Sequence, residues 1–210
     1  MPFVSIVSQR FSRRRLLTRQ PLLAIGVQML KPLHSLHEPD DRFRYLSIHD
    51  ASSGHLRAIR VEDLHAEMRP LELHSSVPNE IRQQFDLARN TYLYSWFAYD
   101  LAALAEQHTY VVLEMALKHR AKAEPSKPSG LNSLLELALK RGWLRAEDLE
   151  MPGSPTAQPL SFLEVLPKLR NRLVHGDMHL SPDWTLRMMR LCADLLNKLY
   201  PEMQESKGAA

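Results

Sequence analysis

The chain has 210 residues, 44% hydrophobic and 24% charged, which is typical of one globular domain or one domain with an accessory segment. The single cysteine, Cys192, excludes an intramolecular disulfide framework and a multi-cysteine zinc site. We therefore expect no metal, no cofactor and a reducing, cytoplasmic setting. No stretch approaches the roughly 20 apolar residues that span a bilayer, so we expect no membrane contact.

The formal net charge of +3 is unevenly distributed along the chain. Residues 1–37 contain six basic side chains and no acidic one, which leaves 21 basic and 24 acidic side chains for the rest. The body of the protein is therefore slightly acidic. A strong non-specific nucleic-acid binder is expected to place its basic excess on the folded domain instead.

The basic N-terminal segment, residues 1–39, is expected to be a poorly ordered tail, because chain termini are commonly loose. The sequence leaves three functional interpretations open. The segment is a basic arm for nucleic acid, an arginine-rich transit peptide, or sequence upstream of a true start at Met29. In the last case residues 1–28 are not translated.

Residues 40–76 are predicted to form an accessory segment. Apolar and polar residues alternate over 44–48 and again over 55–59, and the intervening residues are typical of a turn, so the pattern predicts a β-hairpin. Val61–Met68 is predicted to form a short helix before Pro70. A two-stranded hairpin is marginal alone, so the segment is expected to pack on the C-terminal body.

Residues 77–205 are predicted to form an all-α body. Ile81 to Lys122 contains no proline or glycine, and apolar residues recur every three or four positions. This pattern predicts one very long helix, or two helices with a kink near 107–109. Further helices are predicted over 131–139, 161–175 and 181–199, with loops between them. The fold class is therefore an all-α bundle of four to five helices with a small N-terminal accessory segment.

A cluster of aromatic residues lies in the first part of this helical region: Tyr92, Tyr94, Trp96, Phe97 and Tyr99. Such a cluster is able to stack on nucleic-acid bases. At helical spacing, aromatic residues more often belong to a core or an interface, and we favour that interpretation. Cys192, on the apolar side of the last helix, is expected to be a buried small hydrophobic residue.

One polar string interrupts the otherwise apolar helix over 161–175. It contains Arg170, Asn171 and His175 within six residues and is followed by Gly176. Helical geometry places Asn171 and His175 on one face and Arg170 about 140° from His175, within the sweep of a long side chain. Exposed carbonyl groups at a helix C-terminus favour the cationic form of an imidazole.

The string Arg170-Asn171-x-x-x-His175 resembles the Arg-x4–6-His motif of the HEPN superfamily. These four-helix domains are found in many prokaryotic ribonucleases and toxin–antitoxin pairs. The resemblance covers about residues 77–200 and includes Glu114-x-Ala116-Leu117 and the leucine-rich segment 134–142. It implies a HEPN-like bundle for residues 77–205.

The resemblance further implies a metal-independent endoribonuclease that acts as a homodimer on RNA, with an antitoxin as a partner in a toxin–antitoxin or defence setting. His175 is then the acid/base group, Arg170 the phosphate clamp and Asn171 an orienting residue. Arg172 adds a second cation.

Three more residues are candidates on the long helical region. The nearby cations Lys118 and Arg120 are candidate RNA contacts, and Glu114 is a candidate partner for a motif cation. The alternative function is a catalytically inactive HEPN module that dimerises or serves as an adaptor for a protein or nucleotide.

Overall fold

The computed structural model describes residues 6–8, 30–50, 53–125, 128–151, 161–174 and 181–202, without the side chains of 6–8, 167 and 170–174. This part of the chain is mostly helical, with six α-helices and a small three-stranded sheet. The expected all-α class is confirmed at this level. None of the described helices is long and apolar enough to cross a membrane.

The predicted hairpin is present. Strands β2 (Leu46–His49) and β3 (Leu56–Ala58) pair antiparallel, and a third strand, β1 (Ile6–Ser8), pairs antiparallel with the other edge of β2. Leu46 and Ile48 alternate inward along β2 and are buried, which explains the period-two pattern. The rest of residues 1–29 lies outside the described part of the chain. Helix α1 covers Val61–Met68, as predicted.

The body contains five helices: α2 (Asn79–Tyr94), α3 (Leu101–Arg120), α4 (Leu131–Lys140), α5 (Phe162–Val174) and α6 (Pro182–Leu199). Helix α3 lies at the centre and packs against the other four. Local signals set two of the boundaries. The Ser181 hydroxyl accepts the backbone N–H of Trp184 at the start of α6. After α4, Gly142 takes φ 67°, and the Trp143 N–H donates to the Ala138 carbonyl.

The break in the long helical region lies elsewhere than predicted. Residues 107–109 lie inside α3, and the chain instead leaves the helix between Tyr94 and Leu101. The cause is tertiary. The Asp40 N–H donates to the Trp96 carbonyl at 2.8 Å, and an Asp40 carboxylate oxygen accepts the Tyr99 N–H at 3.0 Å. The accessory segment thus binds backbone groups that a continuous helix would pair internally.

Some residues of the aromatic cluster pack in the interior, whereas Tyr94 is exposed. Tyr92 is buried and donates to the Pro182 carbonyl at 3.0 Å, while Trp96 and Tyr99 pack against the ring of Phe43. The predicted packing role is therefore confirmed for these three aromatic residues of the cluster. Tyr94 is exposed and contacts the ring of Phe97 at 6.4 Å.

The accessory segment also joins α2 to α6. Arg89 of α2 donates to the Met68 carbonyl at 3.0 Å. The backbone N–H of His74 donates to the Asn197 side chain at 2.8 Å, and the Ser76 hydroxyl donates to the carbonyl of Tyr200 at 2.6 Å. The segment therefore packs on the helical body, as the marginal stability of an isolated hairpin requires.

Candidate functional site

The predicted motif begins in the last turn of α5. The structure describes the helical backbone of residues 170–174, while the side chains of Arg170, Asn171 and Arg172 and the whole of His175 lie outside the described part. The predicted roles of these four residues therefore stay predictions. Residues 152–160, part of the predicted loop before the helix over 161–175, also lie outside the described residues.

Helix α5 is anchored by one apolar line of side chains. Phe162, Leu166 and Leu169 are buried at a spacing of four and three, and the ring of Phe162 packs against Tyr110 of α3 at 5.9 Å. With about 100° per residue, position 171 lies about 160° around the helix from position 169. The backbone at position 171 therefore lies on the side of α5 away from its buried line.

The two candidate RNA contacts on α3 have different surroundings. The Lys118 ammonium forms an ion pair with Glu114 at 2.7 Å. The guanidinium of Arg120 lies over the rings of Trp143 and Tyr200, with its central carbon 5.4 and 5.9 Å from the ring centroids. Since Lys118 and Arg120 are two residues apart on a helix, they point to different sides of α3. Lys118 lies outside the motif, so the predicted pairing of Glu114 with a motif cation stays a prediction.

The core contains a buried carboxyl group that the sequence analysis does not predict. Glu106 of α3 is fully buried, accepts a hydrogen bond from the Tyr110 hydroxyl at 2.6 Å and accepts another from the Thr185 hydroxyl of α6 at 3.2 Å. Burial raises the pKa of Glu106, and the two hydroxyl donors oppose this shift only in part. The group therefore connects α3 to α6 next to the ring that anchors α5.

The spacing of Glu106 and Tyr110 could have indicated their hydrogen bond, because residues four apart on a helix are neighbours. No feature of the sequence indicates that Thr185 of α6 is the second partner of Glu106. Cys192 is fully buried, as predicted, and burial raises the pKa of its thiol.

The described residues contain no group of three or more histidine, cysteine, aspartate or glutamate side chains able to hold a metal ion. Comparisons with protein-family models, with curated proteins and with solved structures found no match.

Proposed function

We propose that the protein is a metal-independent endoribonuclease of the HEPN type that acts as a homodimer. The observation that carries the proposal is the string Arg170-Asn171-x-x-x-His175, which begins in the last turn of a helix of an all-helical body. Its supports are the resemblance of this string to the HEPN motif and the anchoring of α5 by a buried line of side chains.

The proposed reaction is attack of an RNA 2′-hydroxyl on the adjacent phosphorus. The bond from O2′ to phosphorus forms, the bond from phosphorus to O5′ breaks, and the products are a 2′,3′-cyclic phosphate and a 5′-hydroxyl. His175 accepts the 2′-hydroxyl proton, and a proton returns to the leaving O5′. Arg170 stabilises the charge that develops on the phosphorane oxygens, with Arg172 as a second cation, and Asn171 orients the imidazole or the phosphate.

The proposed dimer has a candidate surface on α2 and α3. Leu87 and Tyr94 are seven residues apart on α2 and are 52% and 61% exposed. Leu104 and Val111 are seven residues apart on α3 and are 48% and 49% exposed. We call these four residues the apolar stripe. Exposed apolar side chains that recur on neighbouring helices are typical of an interface between copies or partners.

Hydrogen bonding supports treating the apolar stripe as one surface. The side chain of Gln84, three residues before Leu87, contacts the His108 ring nitrogen Nε2 at 3.0 Å. His108 lies between Leu104 and Val111 in sequence, so the exposed lines of the two helices are adjacent. A second copy of this chain is the proposed occupant.

The alternative is an inactive HEPN module that serves as an adaptor. It is favoured by the ion pairs on the described surface, because many basic side chains of the helices already have acidic partners. The ion pairs include Arg89–Asp86, Lys118–Glu114, Arg187–Asp183 and Arg190–Glu67. Such pairs leave fewer cations for RNA phosphates. In this alternative the partner is a protein, for example an antitoxin, or a nucleotide.

RNA cleavage in the presence of a metal chelator separates the two functions. The ribonuclease cuts an all-ribose oligonucleotide, leaves a 2′,3′-cyclic phosphate, and leaves intact a matched oligonucleotide with 2′-deoxyribose at the cut positions. An adaptor cuts neither. Cleavage of the 2′-deoxy substrate, or loss of all activity with the chelator, contradicts the proposed chemistry.

A further inference from the structure

A cavity of about 640 Å³ opens where α3 ends and where α2 and α4 begin. This volume lies within the range of about 300–1,000 Å³ that is usual for small-molecule sites. Its wall is mainly apolar and includes Ile81, Met115, Ala121 and Leu134. The cavity can therefore hold the apolar body of a small ligand.

The charged groups that line the cavity are mostly basic. Lys118 and His119 lie in the last turn of α3, Lys122 follows two residues after its end, and Glu80 of α2 is an acidic side chain on the lining. Lys118 is held by Glu114, whereas Lys122 forms no ion pair within the described part of the chain. A ligand with an acidic head therefore fits this end of the cavity better than a neutral or basic one.

The ring of His119 is held by Tyr200. The Tyr200 hydroxyl lies 2.9 Å from Nδ1 of His119 and donates to the Ala116 carbonyl at 3.0 Å. Nε2 is therefore the ring nitrogen left for a ligand, and an N–H at this position can donate a hydrogen bond to an anionic head group.

We propose that this cavity is a binding site for a small organic acid with an apolar body. The apolar body lies against Ile81, Met115 and Leu134. The acidic head lies near Lys122 and Lys118, and Nε2 of His119 donates a hydrogen bond to it. The proposal uses no residue of the motif from Arg170 to His175, so it stands or falls separately from ribonuclease activity.

Decanoate and decyl phosphate are suitable probes, because both combine an acidic head with an unbranched chain, and decanol is the neutral match. We expect either acid to saturate a single site per chain in calorimetry, with decanol at least tenfold weaker. A comparison of the affinities for decanoate and decyl phosphate then distinguishes a carboxylate from a phosphate ligand. In long-range ¹H–¹⁵N spectra, the ligand should shift the Nε2 signal of His119.

Three single substitutions test the placement of the head group. Lys122→Gln should weaken the binding of both acids at least fivefold, and Glu80→Gln should strengthen it, because it removes a negative charge from the lining. Lys140→Gln, on an exposed residue of α4 outside the lining, is the matched control and should leave affinity unchanged.

Three results would overturn the proposal: no saturable binding, equal affinity for decanol, or equal effects of Lys122→Gln and Lys140→Gln. Displacement of decanoate by an RNA oligonucleotide at the same site would assign the cavity to RNA instead. Circular dichroism of each variant checks that the fold is retained.

Discussion

An Asp40 carboxylate oxygen accepts a hydrogen bond from the backbone N–H of Tyr99 across 59 positions of sequence, at 3.0 Å. Arg42 makes ion pairs with both Asp40 and Asp100 at 2.8 Å. Burial alone raises the pKa of Asp40, but hydrogen bonds from Arg42 and Tyr99 more than offset it and lower this pKa to about 2. The contact connects the accessory segment to the junction of α2 and α3.

Asp40→Ala should lower the free energy of unfolding at pH 7 by about 1–3 kcal/mol, because it leaves the Tyr99 N–H and Arg42 without this acceptor. Asp41→Ala is the matched control. Its side chain is 75% exposed and, among the residues that the structure describes, pairs with an equally exposed Arg44, so we expect a change within about 0.5 kcal/mol. Urea denaturation of the three proteins measures both effects.

The pH dependence of this effect has a definite sign. A carboxyl group with a lowered folded-state pKa stabilises the fold above its unfolded pKa, and this contribution disappears as the pH falls toward about 2. The gap between wild type and Asp40→Ala should therefore narrow when urea denaturation is repeated at low pH. A gap that stays constant from pH 7 to pH 3 would show that Asp40 acts through packing and not through its charge.

Glu106→Gln should remove a pH dependence without removing the hydrogen bonds to Tyr110 and Thr185. Because burial raises the pKa of Glu106, the unfolded chain loses this proton at a lower pH than the folded protein. The wild type should therefore lose stability relative to Glu106→Gln as the pH rises above about 4.5. Denaturation midpoints from pH 4 to pH 7 provide the measurement.

The exposed Glu136 of α4 provides the control for this experiment, since Glu136→Gln should change the pH profile little. Glu106→Leu should be about 1–3 kcal/mol less stable than Glu106→Gln at every pH, because it leaves two buried hydroxyl groups without an acceptor. A difference between wild type and Glu106→Gln that does not depend on pH would mean that folding does not shift the pKa of Glu106.

These two sites illustrate what the sequence could reveal about the fold. Local features of the sequence predict several elements. Alternation predicts the hairpin, helical spacing predicts α1 and α4, and the Ser181 cap marks the start of α6. The break after Tyr94 depends on Asp40 and Phe43, which are more than 50 residues away in sequence. The burial of Glu106 depends on Thr185 from another helix. A pattern read within one segment does not contain such partners.

The candidate site shows the same division. The string Arg170-Asn171-x-x-x-His175 is contiguous and visible in the sequence, as is the apolar spacing that buries Phe162, Leu166 and Leu169. The cavity at the end of α3 combines residues from three helices and a loop, and its His119 is held by Tyr200, 81 positions later. Only the folded chain brings these groups together.

Val111→Asp should weaken the proposed dimer. The substitution places a carboxylate within the apolar stripe, where a second copy would have to desolvate it. We expect a shift from dimer to monomer in light scattering at micromolar concentration, together with a loss of RNA cleavage. Helical content should be retained, because Val111 is 49% exposed.

Ser133→Asp, on the exposed surface of α4 and not on either helix of the apolar stripe, is the charge-matched control and should stay dimeric and active. A wild-type protein that is monomeric at this concentration would contradict the dimer directly. A dimeric Val111→Asp protein would place the interface on another surface.

The central claim is that His175 performs acid/base chemistry on RNA, and the most direct test is the single-turnover cleavage rate of His175→Ala. His37→Ala, on an exposed histidine of the N-terminal segment, is the matched control. We predict that His175→Ala lowers the rate by about 10²–10⁴ while leaving the dimer and the unfolding midpoint unchanged, and that His37→Ala cleaves at the wild-type rate. Cleavage by His175→Ala at the wild-type rate, with 2′,3′-cyclic phosphate products, would contradict the claim.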